Sequence, residues 1–173
     1  MQNAIAMGMG DAAEVRKAYY ADTDEEELLV DAYAKMAAAL ATLRGAATEK
    51  FGPDGFSGLG FGNIFSGEVA KLSKAQATID GDNATVRAGS LSFYLVKKDE
   101  EWKIDPSRTL KNVPRQTAWI DAQTGAYTEL AEEIRAGKYK LVTDAQTARR
   151  EKVIAATAKV SKKFPASQPA TAP

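Results

Sequence analysis

Asp31 and Tyr33 are the residues whose chemistry pairs most readily in this sequence. A carboxylate base beside a tyrosine donor can move a proton in a dry pocket. The alternatives are few, because the 173 residues include no histidine and no cysteine. That removes the serine–histidine–aspartate triad, the thiolate nucleophile, zinc–thiolate and iron–sulfur sites, and the commonest transition-metal ligand. Carboxylates, tyrosines and lysines remain. Two positions apart on a helix, Asp31 and Tyr33 point roughly 200° apart, so they do not converge from that helix alone.

Three other patterns invite chemistry. Asp80-Gly81-Asp82-Asn83 has the first two oxygen ligands of a calcium loop, but Ala84 stands where the third belongs. Asp, Asn and Gly are also the residues of a tight hairpin turn, which is the better reading. Gly58-Leu59-Gly60-Phe61-Gly62 suggests a phosphate-cradling loop, yet it lacks the Gly-Lys-Ser/Thr of a P-loop and follows a predicted helix rather than a strand. No metal and no cofactor is expected from these motifs. The third pattern is basic: Arg149, Arg150, Lys152 and Lys159, followed by Lys162 and Lys163. A solvated helix face is the simplest use of such a run. Docking of an anion or an acidic partner, within the chain or across a homodimer, is the functional alternative. Nucleic acid is not expected, because aromatics that could stack on bases are missing apart from Phe164.

Overall charge balances at 23 basic and 23 acidic side chains, so there is no global field toward nucleic acid or membrane. The ends differ: residues 1–35 carry eight acids and three bases, and residues 135–164 carry nine bases and two acids. No apolar run approaches the ~20 residues of a membrane-spanning helix. The opening MQNAIAMGMGD has no basic and long apolar regions of a signal peptide, and a mature exported protein would look the same.

Four blocks position these residues. Residues 11–50 read as helix: Asp11 caps a short piece, and a longer one starts near Thr23 or Asp24, where Asp24 with Glu27 has capping-box spacing. Leu29, Tyr33, Met36, Leu40 and Leu43 then recur at helical steps as one apolar stripe. Residues 52–67 hold six glycines and one proline in sixteen residues, a density that resists regular structure, yet they carry Phe56, Leu59, Phe61, Ile64 and Phe65. Such a loop folds back over the core. Residues 68–105 read as two hairpins, turning at Asp80-Gly81-Asp82-Asn83 and Asp99-Glu100-Glu101 and closed by Pro106. Beyond lie two more helices, one with Trp119, Ala122, Ala126, Leu130 and Ile134 on a face and Gly137 as stop, the other capped by Thr143 or Asp144 and carrying Val153, Ala156, Val160 and Phe164.

The strings AKLSKAQATIDGDNATVRAG and SFYLVKKDEEWKID resemble the strand section of bacterial nuclear transport factor 2-like proteins, with Ala-rich helices before them where that family has its helices. The resemblance covers about residues 11–107. It implies an α+β fold of the cystatin-like kind: N-terminal helices packed on a curved antiparallel sheet, a cone between them, and additional C-terminal helices here. The implied division is an N-terminal extension at 1–10, an α+β domain at 11–114, a helical extension at 115–164 and a flexible tail at 165–173. Some of these relatives are isomerases or cyclases with Asp and Tyr in the cone, and many bind a small molecule or protein without catalysis. The pocket candidates it implies are Tyr33, Met36, Phe56, Phe61, Phe93, Tyr94 and Trp102. The expectation is a non-catalytic binding module, with an Asp/Tyr enzyme and docking through the basic helix as alternatives.

Overall fold

Asp11 and Thr23 start the first two helices by giving side-chain oxygens to backbone N–H groups that a helix start leaves unpaired. Asp11 accepts from Ala13 N at 3.1 Å and opens α1, Ala12–Ala18. Thr23 accepts from Glu26 N, and Glu26 reaches back to Thr23 N, a complete capping box at the head of α2, Asp24–Phe51. The box therefore sits one residue earlier than Asp24 and Glu27 suggested, because Thr23 rather than Asp24 takes the extended backbone a cap needs. The structure, a computed structural model, describes residues 11–61, 75–88, 91–109 and 112–164. The expected N-terminal extension, the Gly/Phe loop from residue 62 to 67, and the C-terminal tail from 165 lie outside the described residues.

The fold is α+β. After a π-helical turn at Ser57–Phe61 come β1 (Gln76–Asp80), β2 (Asn83–Ala88), β3 (Leu91–Lys98) and β4 (Glu101–Ile104), an antiparallel meander in sequence order. Both hairpins have two-residue loops, Gly81-Asp82 and Asp99-Glu100. Gly81 has φ 55°, and Asp99 and Glu100 have φ 50° and 63°. At Asp99-Glu100 both central residues have positive φ and at Gly81-Asp82 the first does, the two turn classes whose twist matches paired strands. The short α3 (Pro106–Thr109) then leads to α4 (Val113–Arg135) and α5 (Val142–Lys163). Leu141, with no side-chain cap bond, precedes α5 where Thr143 or Asp144 had been expected.

The Leu29–Leu43 stripe of α2 is covered by α4, not by the sheet. Leu29 and Ala32 pack with Ile120, while Leu40, Leu43, Ala46 and Ala47 share a core with Tyr127, Leu130, Ala131 and Ile134. The pairing of early with early and late with late residues sets α2 and α4 running in the same direction. α4 wins this face because it offers large apolar side chains at steps of 7, 3 and 4: Ile120, Tyr127, Leu130, Ile134. Its buried face is rotated from the expected one. Trp119 is exposed, and Gln123 is buried because Tyr127 Oη–H donates to its Oε1 at 3.2 Å.

A second, alanine-rich face of α2 meets the sheet. Val30, Ala34 and Ala37 pack with Val15, Ala18 and Tyr19 of the α1 region and with Ile104, with Leu95 against them. Tyr20 N also donates to Ile104 O at 2.9 Å, beside a parallel bridge between Tyr19 and Ile104. Cross-strand register puts Ile79, Ala84, Leu95 and Ile104 in one row and Ala77, Val86 and Phe93 in the next, so one sheet face is apolar. Ala84, Val86 and Ile104 on it are buried, but Ile79 is 64% and Trp102 39% exposed. Among the described residues no helix is long and apolar enough to cross a membrane.

Candidate functional site

The sequence-derived candidates divide among three places. Tyr33 and Met36 lie in helix interfaces. The Tyr33 ring stacks on Tyr19 with centroids 5.4 Å apart, and burial pushes the pKa of both phenols up. Met36 packs between α2 and α4, its Sδ 3.8 Å from Thr124 Oγ1. Asp31 turns the other way, to the surface, and pairs with Arg16 Nε at 3.0 Å. Phe93, Tyr94 and Trp102 stay on the sheet, Phe93 and Trp102 on the apolar face and Tyr94 on the other, under the Arg108 guanidinium at 5.3 Å.

Phe56 and Phe61 do come together, at the π-helical turn. Their rings stack at 4.6 Å and 4°, and Phe61 meets Tyr127 edge-on at 5.6 Å. A guanidinium covers each open side: Arg44 lies 4.9 Å from the Phe56 centroid and Arg149 4.7 Å from that of Phe61. The result is a column Arg44–Phe56–Phe61–Arg149 joining α2, the turn and α5, with cation–π attraction at both ends.

The basic run is likewise divided. Lys152 lies inward, 19% exposed, against Glu129 Oε1 and, at 3.2 Å, Glu133 Oε2. Glu133 also accepts from Lys138 and from Tyr139 Oη–H. Burial works against the Glu133 charge, but the hydrogen bonds from Lys138, Tyr139 and Lys152 outweigh it and hold its pKa down at about 2. Burial and the Glu133 charge push Tyr139 up. With each member bonded, this cluster joins α4, α5 and the loop between them. Arg150 and Lys159 are exposed.

Arg149 differs from all of these. Its Nε is fully buried and has no hydrogen-bond partner. Burial lowers its pKa, Tyr127 opposes that and Arg150 adds to it. No family model, no curated protein and no solved structure matches the chain. What the site does is therefore read from its own geometry.

Val142, Gln146 and Arg149 follow one another at i, i+4 and i+7 on α5 and press onto the glycines of the turn. A Cβ on Gly58 would lie 2.7 Å from Val142 Cγ2. At Gly60, whose φ is +93°, a Cβ would lie 3.1 Å from Gln146 Nε2 and 3.2 Å from Arg149 Nη2. Glycine is required there both for the left-handed backbone and for the approach of two donors. Gln146 and Arg44 escaped the sequence reading, and Gly60 stands out in the sequence only as part of a Gly-rich loop. The signal that points to them is a Gly-x-Gly pair and a helical triad whose steps match, which becomes meaningful only once the two segments are known to touch. Among the described residues no group of three or more Asp or Glu side chains gathers in a form that could hold a metal ion.

Proposed function

We propose that this chain is a non-catalytic binding module. The observation that carries the reading is Arg149: a half-enclosed guanidinium that keeps a buried donor unpaired, whereas Lys152, three residues on, is paired with Glu129 and Glu133. Unpaired buried donors are costly, on the order of 1–3 kcal/mol, and a partner that accepted from this one would remove that cost. Arginine stays charged at any working pH, so it binds and orients rather than exchanging protons. The acid–base alternative needs a carboxylate base within hydrogen-bond reach of a tyrosine; Asp31 and Tyr33 point to different neighbours, Tyr20 and Asp22 meet at the surface, and the Glu133 carboxyl that accepts from Tyr139 is also bonded to Lys138 and Lys152, which hold its pKa at about 2 and leave it a weak base.

Kinship with nuclear transport factor 2-like domains belongs to this proposal. It is supported by two consecutive hairpins after N-terminal helices. The cystatin-like placing of a long helix on the sheet is supported by the Val30–Ala34–Ala37 face of α2 against Ile104 and Leu95. Docking of an acidic partner on α5 is a second reading, favoured by the exposure of Arg150 and Lys159. It predicts an affinity that collapses with added salt.

A thermal-shift screen of the full chain against small metabolites tests the first reading. A stabilising ligand that loses its effect in Arg149→Lys supports it. Turnover of an ester, epoxide or ketone that is abolished by Asp31→Asn contradicts it.

A further inference from the structure

We propose that the outer edge of β1 pairs with the same edge of a second copy of this chain, antiparallel and centred on Thr78, so that the two meanders form one continuous sheet. The surface is separate from Arg149 and does not depend on the binding reading.

The two edges of the meander differ. The chain itself closes the outer side of β4: Tyr20 N–H donates to Ile104 O at 2.9 Å beside the bridge from Tyr19. Among the described residues no strand pairs with the outer side of β1, and every residue of β1 is exposed. Open edges are ordinarily blunted by lysine, proline or a bulge, because their free N–H and C=O groups template another strand. β1 reads Gln-Ala-Thr-Ile-Asp, with neither lysine nor proline, and its pairing with β2 runs unbroken from Gln76–Arg87 to Asp80–Asn83.

The hydrogen-bond phase shows which groups are free. Lys97 N–H donates to Asp82 O at 2.8 Å. Asp82, Ala84 and Val86 therefore turn their backbone groups toward β3, and Asn83, Thr85 and Arg87 turn theirs toward β1. The partners of the latter, Asp80, Thr78 and Gln76, bond inward. Ala77 and Ile79 are left with N–H and C=O pointing outward. A two-fold axis at Thr78 sets Ala77 opposite Ile79 of the second copy, and the reverse, and each of these pairs exchanges two hydrogen bonds.

The side chains agree on both faces. On the apolar face the row Ile104–Leu95–Ala84–Ile79 continues into Ala77 of the second copy, beside an isoleucine that is 64% exposed. On the polar face Thr78 meets Thr78, and Asp80 of the second copy stands opposite Gln76, with Arg87 one strand behind it. Asp80 and Arg87 are both exposed, and among the described residues neither has an ion-pair partner. Two strand spacings put their Cα atoms about 10 Å apart across the junction, within reach of an arginine side chain. The axis makes this charge match twice. A strand that complements itself in hydrogen bonds, apolar row and charge selects a second copy as its occupant.

The test is sedimentation equilibrium of the full chain from about 10 to 500 µM, a range suited to an interface of small area. A two-fold contact closes at two copies, so the expected result is a reversible monomer–dimer equilibrium. Ala77→Pro removes an outward N–H and no bond to β2; the chain should then stay monomeric with its far-UV circular dichroism unchanged. Should Ala77→Pro fail to fold, Ile79→Lys, at an exposed position, decides instead, and it too should abolish the dimer. Asp80→Lys should weaken the dimer about fivefold, since two exposed ion pairs are lost at once, and adding Arg87→Glu should restore it. A chain that stays monomeric to the top of the range, a dimer that the deciding variant leaves intact, or growth beyond two copies overturns the proposal. A dimer that Arg87→Glu does not restore overturns the register centred on Thr78.

Discussion

The helices and the meander are held together by different means. In the helical part, Leu29, Leu43, Leu59, Leu130 and Ile134 are fully enclosed and come from α2, the glycine turn and α4. In the meander every residue of β1 is exposed, and among the described residues the sheet joins the helices chiefly through Ile104, Leu95 and the backbone of Tyr20. One part draws its stability from apolar burial between distant segments. The other draws it from turn geometry and neighbouring hydrogen bonds. Both candidate features, the Arg149 guanidinium and the Glu133 cluster, sit on the helical part, where rigid packing can hold a donor in place.

The largest expected contrast comes from equal truncations on the two sides. Leu130→Ala empties a fully buried site and should cost about 2–5 kcal/mol in denaturant unfolding. Ile79→Ala, at a position 64% exposed, should stay within about 0.5 kcal/mol. Similar losses at both positions would erase the distinction.

The Glu133 cluster sharpens it by pH. Its carboxyl has a lower pKa in the folded chain, about 2 against an ordinary 4.5. Its contribution is therefore full above about pH 4.5 and is lost as pH falls toward 2. Its side chain is 17% exposed, so solvent screening limits the effect to on the order of 1–2 kcal/mol. Glu133→Gln should lower stability at neutral pH by that amount, and its urea midpoint should vary less between pH 4.5 and 2 than that of the unaltered chain. An unchanged pH profile would mean that the cluster is ornamental.

The smallest effect lies in the meander. Asp99 and Glu100 adopt positive φ that Asn and Gly take more readily. The double change Asp99→Asn with Glu100→Gly should stabilise by about 0.5–1 kcal/mol, read as a rise in denaturation midpoint. A loss would show that those side chains do more than turn the chain.

The elements were legible where the signal is local. Asp11 as a cap, turns within Asp80–Asn83 and Asp99–Glu101, and the span of the strands all follow from residue types a few positions apart. The partner of each face was not legible. Periodicity shows that Leu29–Leu43 is buried, but α4 and the sheet are equally apolar partners on paper. The choice depends on Val30, Ala34 and Ala37 giving the small side chains of a second face to Ile104. The rotation of α4 was hidden for a related reason: Gln123 counts as polar until Tyr127 Oη–H is seen to satisfy it. At the candidate site, Arg149 was visible as one charge in a basic run. Its separation from Lys152 and Arg150 depends on Gly58 and Gly60, almost ninety residues earlier in the chain.

Native-state hydrogen exchange, read amide by amide, tests the division most directly. Amides of α2 and α4 should open only with global unfolding, and those of β1 and β2 at a clearly lower free energy. Equal opening energies in β1 and α4 would contradict it, and with it the view that the helices carry both the stability and the binding site.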